Sequence, residues 1–179
     1  QQSMLARLHR EIEALYGITL RVRMGLNSGR VTAGNMGSER RLQYTVMGDA
    51  VNFASRLEPA NKEVGTTILA GEETRRQTAG AVAMREVGRI RVSGKRDVVA
   101  MYEVLGPQGT LPDARRERVA AYEAALARFY AREWDGCIAA VDDILADGDD
   151  GPSRFLRALA ETFREQPPGA DWRGEYIRT

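Results

Sequence analysis

The sequence predicts an α+β fold followed by an α-helical hairpin, and three observations carry that reading. Short runs of alternating or β-branched apolar residues lie on either side of an amphipathic helix at about 50–62, and beyond Gly106 the chain becomes Ala-rich with apolar residues three and four apart. The expected division is 1–106 for the α+β unit, 107–112 for a linker and 113–179 for the helical extension.

Residues 3–16 place Met4, Leu5, Leu8, Ile12 and Leu15 at helical spacing, an apolar face with no earlier element in the sequence to cover it. Val22, Met24 and Leu26 alternate and are expected to face inward from a strand. Gly29, Gly34 and Gly37 then read as a tight connection. The segment from Gln43 to Leu57, QYTVMGDAVNFASRL, carries the most information: a strand, a Gly48-Asp49 turn with Asp49 as the expected N-cap, and a helix over about 50–62 with Gly65 beyond its end. On that helix Ala50, Val51, Phe53, Ala54 and Leu57 make an apolar face, while Asn52 and Arg56, four residues apart, point together at its margin.

Val87 to Val92 and Val98 to Val104 read as two strands, joined by a turn from Ser93 to Asp97 with Lys95 at its tip. After the Gly106-Pro107-Gln108-Gly109-Thr110 linker, residues 115–130 carry Val119, Tyr122, Leu126 and Phe129, and residues 137–145 carry Ile138, Val141, Ile144 and Leu145. A break near Trp134-Asp135-Gly136 makes these a helical hairpin faintly like a tetratricopeptide unit, and residues 152–164 add a third helix. Such units do not stand alone, so the hairpin is expected to dock on the α+β unit or on a partner; the alternative is a plain C-terminal helical brace. The tail from Gln166 is expected to be irregular, with Trp172, Tyr176 and Ile177 as anchors.

Composition narrows the function. The 179 residues are 43% hydrophobic and 28% charged with a formal net charge of +1, which suits a folded domain and gives no electrostatic footprint for nucleic acid. No apolar run is long enough to span a bilayer. The single Cys137 forms no internal disulfide and fits a reducing cytoplasm, with attachment of the parent protein to the inner membrane left open. His9 is the one histidine, so no His/Cys metal cluster forms. Gly29 and Gly34 have the interval of a phosphate-binding P-loop, but Asn35 and Met36 follow where Lys and Ser or Thr are needed. No G-x-G-x-x-G follows a strand either, so a dinucleotide fold has no support.

RMGLNSG, YTVMGDAVNFASRL and VSGKRDVVAMYEV, in that order and spacing, resemble the class III nucleotidyl cyclase catalytic domain over roughly residues 1–105. The resemblance implies a ferredoxin-like α+β cyclase fold, of which the chain is the C-terminal half. It implies that Arg56 stabilises the α-phosphoryl transition state, that Asn52 orients the ribose, that Lys95 holds the β- and γ-phosphates, and that Thr45 reads the purine. A threonine there favours ATP over GTP. Asn27 stands where many relatives carry His, a position expected to lie away from the phosphate-binding residues.

The two metal-binding aspartates of the family, which hold Mg²⁺ or Mn²⁺, belong to a part that precedes this sequence, so the chain is expected to be a fragment with no metal site of its own. The family builds its site between two catalytic domains, which implies a homodimer with two sites or a heterodimer with one; in some bacterial relatives with extensions of similar composition a sensory region lies upstream. Two functions follow from the resemblance. One is adenylate cyclase activity, converting ATP to 3',5'-cyclic AMP and pyrophosphate, for the complete protein. The other is a non-catalytic, cyclase-like regulatory or nucleotide-binding module.

Overall fold

Non-local pairing turns the short apolar runs into one sheet and one separate ribbon. The computed structural model of the chain describes residues 8, 11–18, 22–38, 41–91 and 98–176. Residues 11–16 are helical (α1). The elements that follow are β1 (Met24–Leu26), β2 (Thr32–Ser38), β3 (Arg41–Met47), α2 (Asp49–Val64), β4 (Ile68–Gly71), α3 (Glu72–Gln77), β5 (Val82–Arg91), β6 (Val98–Pro107), α4 (Asp113–Tyr130), α5 (Trp134–Ala146), α6 (Gly151–Glu165) and β7 (Glu175–Tyr176). The fold is α+β, with the helices of the extension following the sheet.

The sheet has the order β1-β4-β6-β5-β7, while β2 and β3 form their own two-stranded antiparallel ribbon. β1 runs parallel to β4, β6 is antiparallel to both β4 and β5, and β7 runs parallel to β5. α2 lays Phe53, Leu57, Ala60 and Val64 on the sheet against Leu69, Val87, Ile90 and Met101. Phe155 and Leu159 of α6 pack against the same cluster, so the extension completes the sheet's core as well as its own. A second core lies between α4, α5 and α6, built on Tyr122, Leu126, Phe129, Val141 and Leu156. Phe129 has Trp134, Phe163 and Trp172 around it at ring-centroid distances of 5.3 to 5.6 Å.

Polar contacts fix the extension on the sheet. The β5–β6 register shifts between Glu86 and Gly88, and the Val87 carbonyl at that irregularity accepts the Tyr122 hydroxyl at 3.0 Å. Arg85 of β5 is buried and bonds Glu103 of β6 through Nε at 2.6 Å and Asp150 through Nη1 and Nη2 at 3.2 and 2.6 Å. Asp150 also caps α6, accepting from the Ser153 amide and hydroxyl. Burial alone would raise the Asp150 carboxyl, but the bonds from Arg85 and Ser153 outweigh it and hold the group below the usual carboxylate range.

Several expectations are corrected. Val22 and Leu26 are exposed rather than inward, because the residue of β1 that faces α2 is Gly25, on the opposite side of the strand. Gly34 and Gly37 do not serve a tight connection: both lie in β2, where pairing with Thr45 and Leu42 of β3 supplies what local propensity lacks. Asp49 is the first residue of α2, and the N-cap is Gly48, whose carbonyl accepts the Val51 and Asn52 amides. The break between α4 and α5 falls at 131–133, with Arg132 at φ 64, and Trp134-Asp135-Gly136 opens α5. The tail is not wholly irregular, since Glu175 and Tyr176 add β7 to the sheet edge. His9, Ile177 and the turn carrying Lys95 lie outside the described residues.

Candidate functional site

The site is built on the passage from β3 into α2. β3 ends at Met47, and Gly48 turns the chain at φ 144, a conformation that disfavours any residue with a Cβ; a Cβ would also come within 3.3 Å of the Arg30 carbonyl. α2 then runs from Asp49 to Val64, and Gly65 closes it in the left-handed conformation. With Phe53, Leu57, Ala60 and Val64 buried, the opposite side is left to Asn52, which is exposed, and Arg56, which is half-buried. Four residues apart, they project from one face of the helix.

Thr45 is an exposed residue of β3, paired with Gly34 of β2 and seven positions before Asn52. The structure thus brings Asn52 and Arg56 together and sets Thr45 on the strand that leads into their helix. Lys95 lies outside the described residues, between the ends of β5 and β6 at Arg91 and Val98. β3 also presents Tyr44, Val46 and Met47 to solvent, and Leu15, Tyr16, Ile18, Val22, Leu26 and Val31 are exposed on the segments before it.

Two asparagines hold α2 against β1, a role not anticipated for either. Asn27, expected to lie away from the phosphate-binding positions, donates its side-chain amide to the Ala50 carbonyl in the first turn of α2 at 3.1 Å. Asn61, fully buried at the other end of α2, donates to the Met24 carbonyl of β1 at 3.0 Å and accepts the Thr66 hydroxyl at 2.8 Å. A signal for Asn61 does exist in the sequence: it stands four residues after Leu57, a polar side chain in phase with an apolar face.

Among the described residues no group of three or more His, Cys, Asp and Glu could hold a metal ion. Cys137 is buried in the helical core, and burial pushes its thiol up to about 11, which leaves it a poor nucleophile at neutral pH. Among the described residues no helix is long and apolar enough to cross a membrane.

Known proteins resemble this chain over the same segment. The adenylate and guanylate cyclase catalytic domain family matches residues 3–106, and the chain belongs to that family. It is 42% identical to Adenylate cyclase 1 of Rhizobium meliloti (strain 1021) over 86 residues, 48% of this chain and 13% of that protein. It is 36% identical to an adenylate cyclase of Anabaena cylindrica over 86 residues, 46% of this chain and 17% of that protein. Among solved structures, the adenylyl cyclase CyaB from P. aeruginosa aligns with a TM-score of 0.52 and 31% identity, covering 62% of this chain and 56% of that one. The guanylyl cyclase Cya2 aligns with a TM-score of 0.50 and 26% identity, covering 59% and 53%. The match to these curated relatives therefore spans under a fifth of their length.

Proposed function

We propose that this chain supplies the ribose- and phosphate-binding half of a class III adenylate cyclase, with 1–106 as the cyclase part, 107–112 as the linker and 113–179 as a docked helical extension. The observation that carries the reading is the outward face of α2, where Asn52 and Arg56 stand together within the part of the chain that matches the cyclase family.

In the reaction the ribose 3'-hydroxyl of ATP attacks the α-phosphorus. The new O3'–P bond forms, the bond to the β-phosphate oxygen breaks, the electron pair leaves with pyrophosphate, and the hydroxyl proton passes to solvent. Negative charge on the α-phosphoryl oxygens grows on the way, and the planar, permanently charged guanidinium of Arg56 is suited to stabilise it through paired N–H donors. Asn52 hydrogen-bonds the ribose and holds it for in-line attack. Lys95 takes the β- and γ-phosphates, and Thr45 reads the purine edge. The family's divalent ions, Mg²⁺ or Mn²⁺, fall to residues other than those described. The exposed apolar side chains of β1 and β3 fit a second catalytic domain, so the active species is a homodimer.

The test is product formation by the full-length protein from ATP and from GTP at equal concentration. Cyclic AMP should form several-fold faster than cyclic GMP, and the reverse order would reject Thr45 as an adenine-reading residue. A second reading, a nucleotide-binding module without turnover, draws on the lack of a cation-binding acidic cluster among the described residues. It predicts bound ATP and no cyclic product from either nucleotide.

A further inference from the structure

α2 rests directly on the backbone of β1. A Cβ at Gly25 would collide with the Ala54 carbonyl and lie 2.7 Å from the Glu58 amide and 2.9 Å from Leu57 Cβ, so the middle of the helix touches the strand with no side chain between them. Ala54 is midway between Asn52 and Arg56 in sequence. The apolar residues of α2 drive its burial, but that force has no direction and does not set how far the helix slides or tilts on a bare glycine.

Directional bonds sit at both ends of the contact. At the start of α2, the Asn27 amide donates to the Ala50 carbonyl at 3.1 Å. Asn27 is seated against β4, since a Cβ at Gly71 would collide with its Oδ1, and its neighbour Ser28 shares a hydrogen bond of 3.1 Å with Thr74 of α3. Towards the other end, Asn61 Nδ2 reaches the Met24 carbonyl at 3.0 Å and the Leu57 carbonyl of its own helix at 2.9 Å. Its Oδ1 is held by the Thr66 hydroxyl at 2.8 Å, which fixes which way the amide faces. One amide therefore ties the end of β1 to the first turn of α2, and the other ties the start of β1 to its last turns.

We propose that Asn27 and Asn61 are positioning residues of the cyclase reaction: by pinning α2 to β1 at both ends they aim Asn52 and Arg56, and they touch no substrate themselves. This rests on the reading of Asn52 and Arg56 given above. A misplacement of about 1 Å in a group that holds reacting atoms costs on the order of a hundredfold in rate, so a small slide of α2 is read in turnover before it is read in folding.

The experiment measures kcat and KM for cyclic nucleotide formation by the full-length protein and by Asn27→Ala, Asn27→Asp, Asn27→His, Arg56→Ala and Asn27→Ala/Arg56→Ala. Asn27→Ala should lower kcat roughly tenfold with KM changed less than about twofold. Asn27→Asp keeps the size but has no N–H to give and should fall likewise, while Asn27→His keeps a donor and should recover most of the rate. The double variant should lose clearly less than the product of the two single losses, because once Arg56 is gone an unaimed helix has only Asn52 left to misplace. Multiplicative losses, or wild-type kcat in Asn27→Asp, would overturn the proposal while leaving the roles of Asn52 and Arg56 intact. An unaffected Arg56→Ala would instead reject the reading on which it rests.

Discussion

Replacing Asp150 by Ala tests whether the helical extension is locked to the sheet through a buried charge. The Asp150 carboxylate takes two bonds from Arg85 and two from Ser153, and the Arg85 and Asp150 side chains are 5% and 9% exposed. Removing one partner of a buried pair costs about 3–5 kcal/mol because the other charge is stranded. Here Glu103 stays on Arg85 Nε at 2.6 Å and offsets part of that, while loss of the α6 cap adds about 1 kcal/mol. The net expectation is a loss of about 3 kcal/mol. In urea unfolding of the 179-residue chain, with a slope of roughly 2 kcal/mol per molar, the midpoint should drop by about 1.5 M. Asp150→Asn, which keeps an oxygen to cap α6, should lose less. A drop smaller than about 0.3 M for Asp150→Ala would show that water solvates Arg85 in its place and that the extension docks by apolar contact alone.

Other expectations follow from the same contacts. Asp150 and Glu175 are both held below the usual carboxylate range, against burial, by Arg85 with Ser153 and by Arg91 with backbone amides. Their folded pKa values lie below the unfolded ones, so the stability they add is complete above the unfolded values near 4 and is lost as pH falls through the folded values. The urea midpoint should be level from pH 7 to about 5 and fall below about 4, and a fall that begins at pH 6 would contradict this. Tyr122→Phe strands the Val87 carbonyl in a buried site and should cost about 1–2 kcal/mol. That is a Tm lower by about 3–6 °C in a thermal melt, and an unchanged Tm would mean the carbonyl finds another donor. Gly25→Ala forces α2 off β1 and should destabilise by about 1–3 kcal/mol in urea unfolding; wild-type stability would show that helix and strand are not in backbone contact.

The sequence made α2 legible because its signals are local. The helical phase of Phe53 and Leu57, the placement of Asn52 and Arg56 four apart, and Gly65 at the end all survive in the structure. Pro59 falls inside the helix and removes one amide, yet α2 continues because Ala60, Asn61 and Val64 are buried against the sheet. What stayed hidden depends on partners distant in the chain. Gly25 is the contact residue of β1 through the Cβ it lacks, so alternation of Val22, Met24 and Leu26 pointed to the wrong face. β2 is rich in glycine and is a strand by virtue of β3, and β7 is two residues long and exists by pairing with Arg89 and Ile90.

The same distinction holds for single side chains. Arg85 precedes the strand expected from Val87, and only the fold, which starts β5 at Val82 and brings Asp150 to it from 65 residues on, gives it a partner. Asn27 and Asn61 are ordinary loop and helix asparagines until β1 and α2 cross. Three aromatic rings close around Phe129 from α5, α6 and the tail, which is why residues beyond Gln166 are held although their composition reads as irregular.

The most direct measurement is the steady-state rate of cyclic AMP formation from ATP by the full-length protein with Arg56→Ala and, separately, Asn52→Ala. If the outward face of α2 stabilises the transition state, kcat falls on the order of a hundredfold in each while KM changes by less than about threefold. Unchanged turnover, or a loss carried wholly by KM, would place both residues outside the reaction and contradict the account.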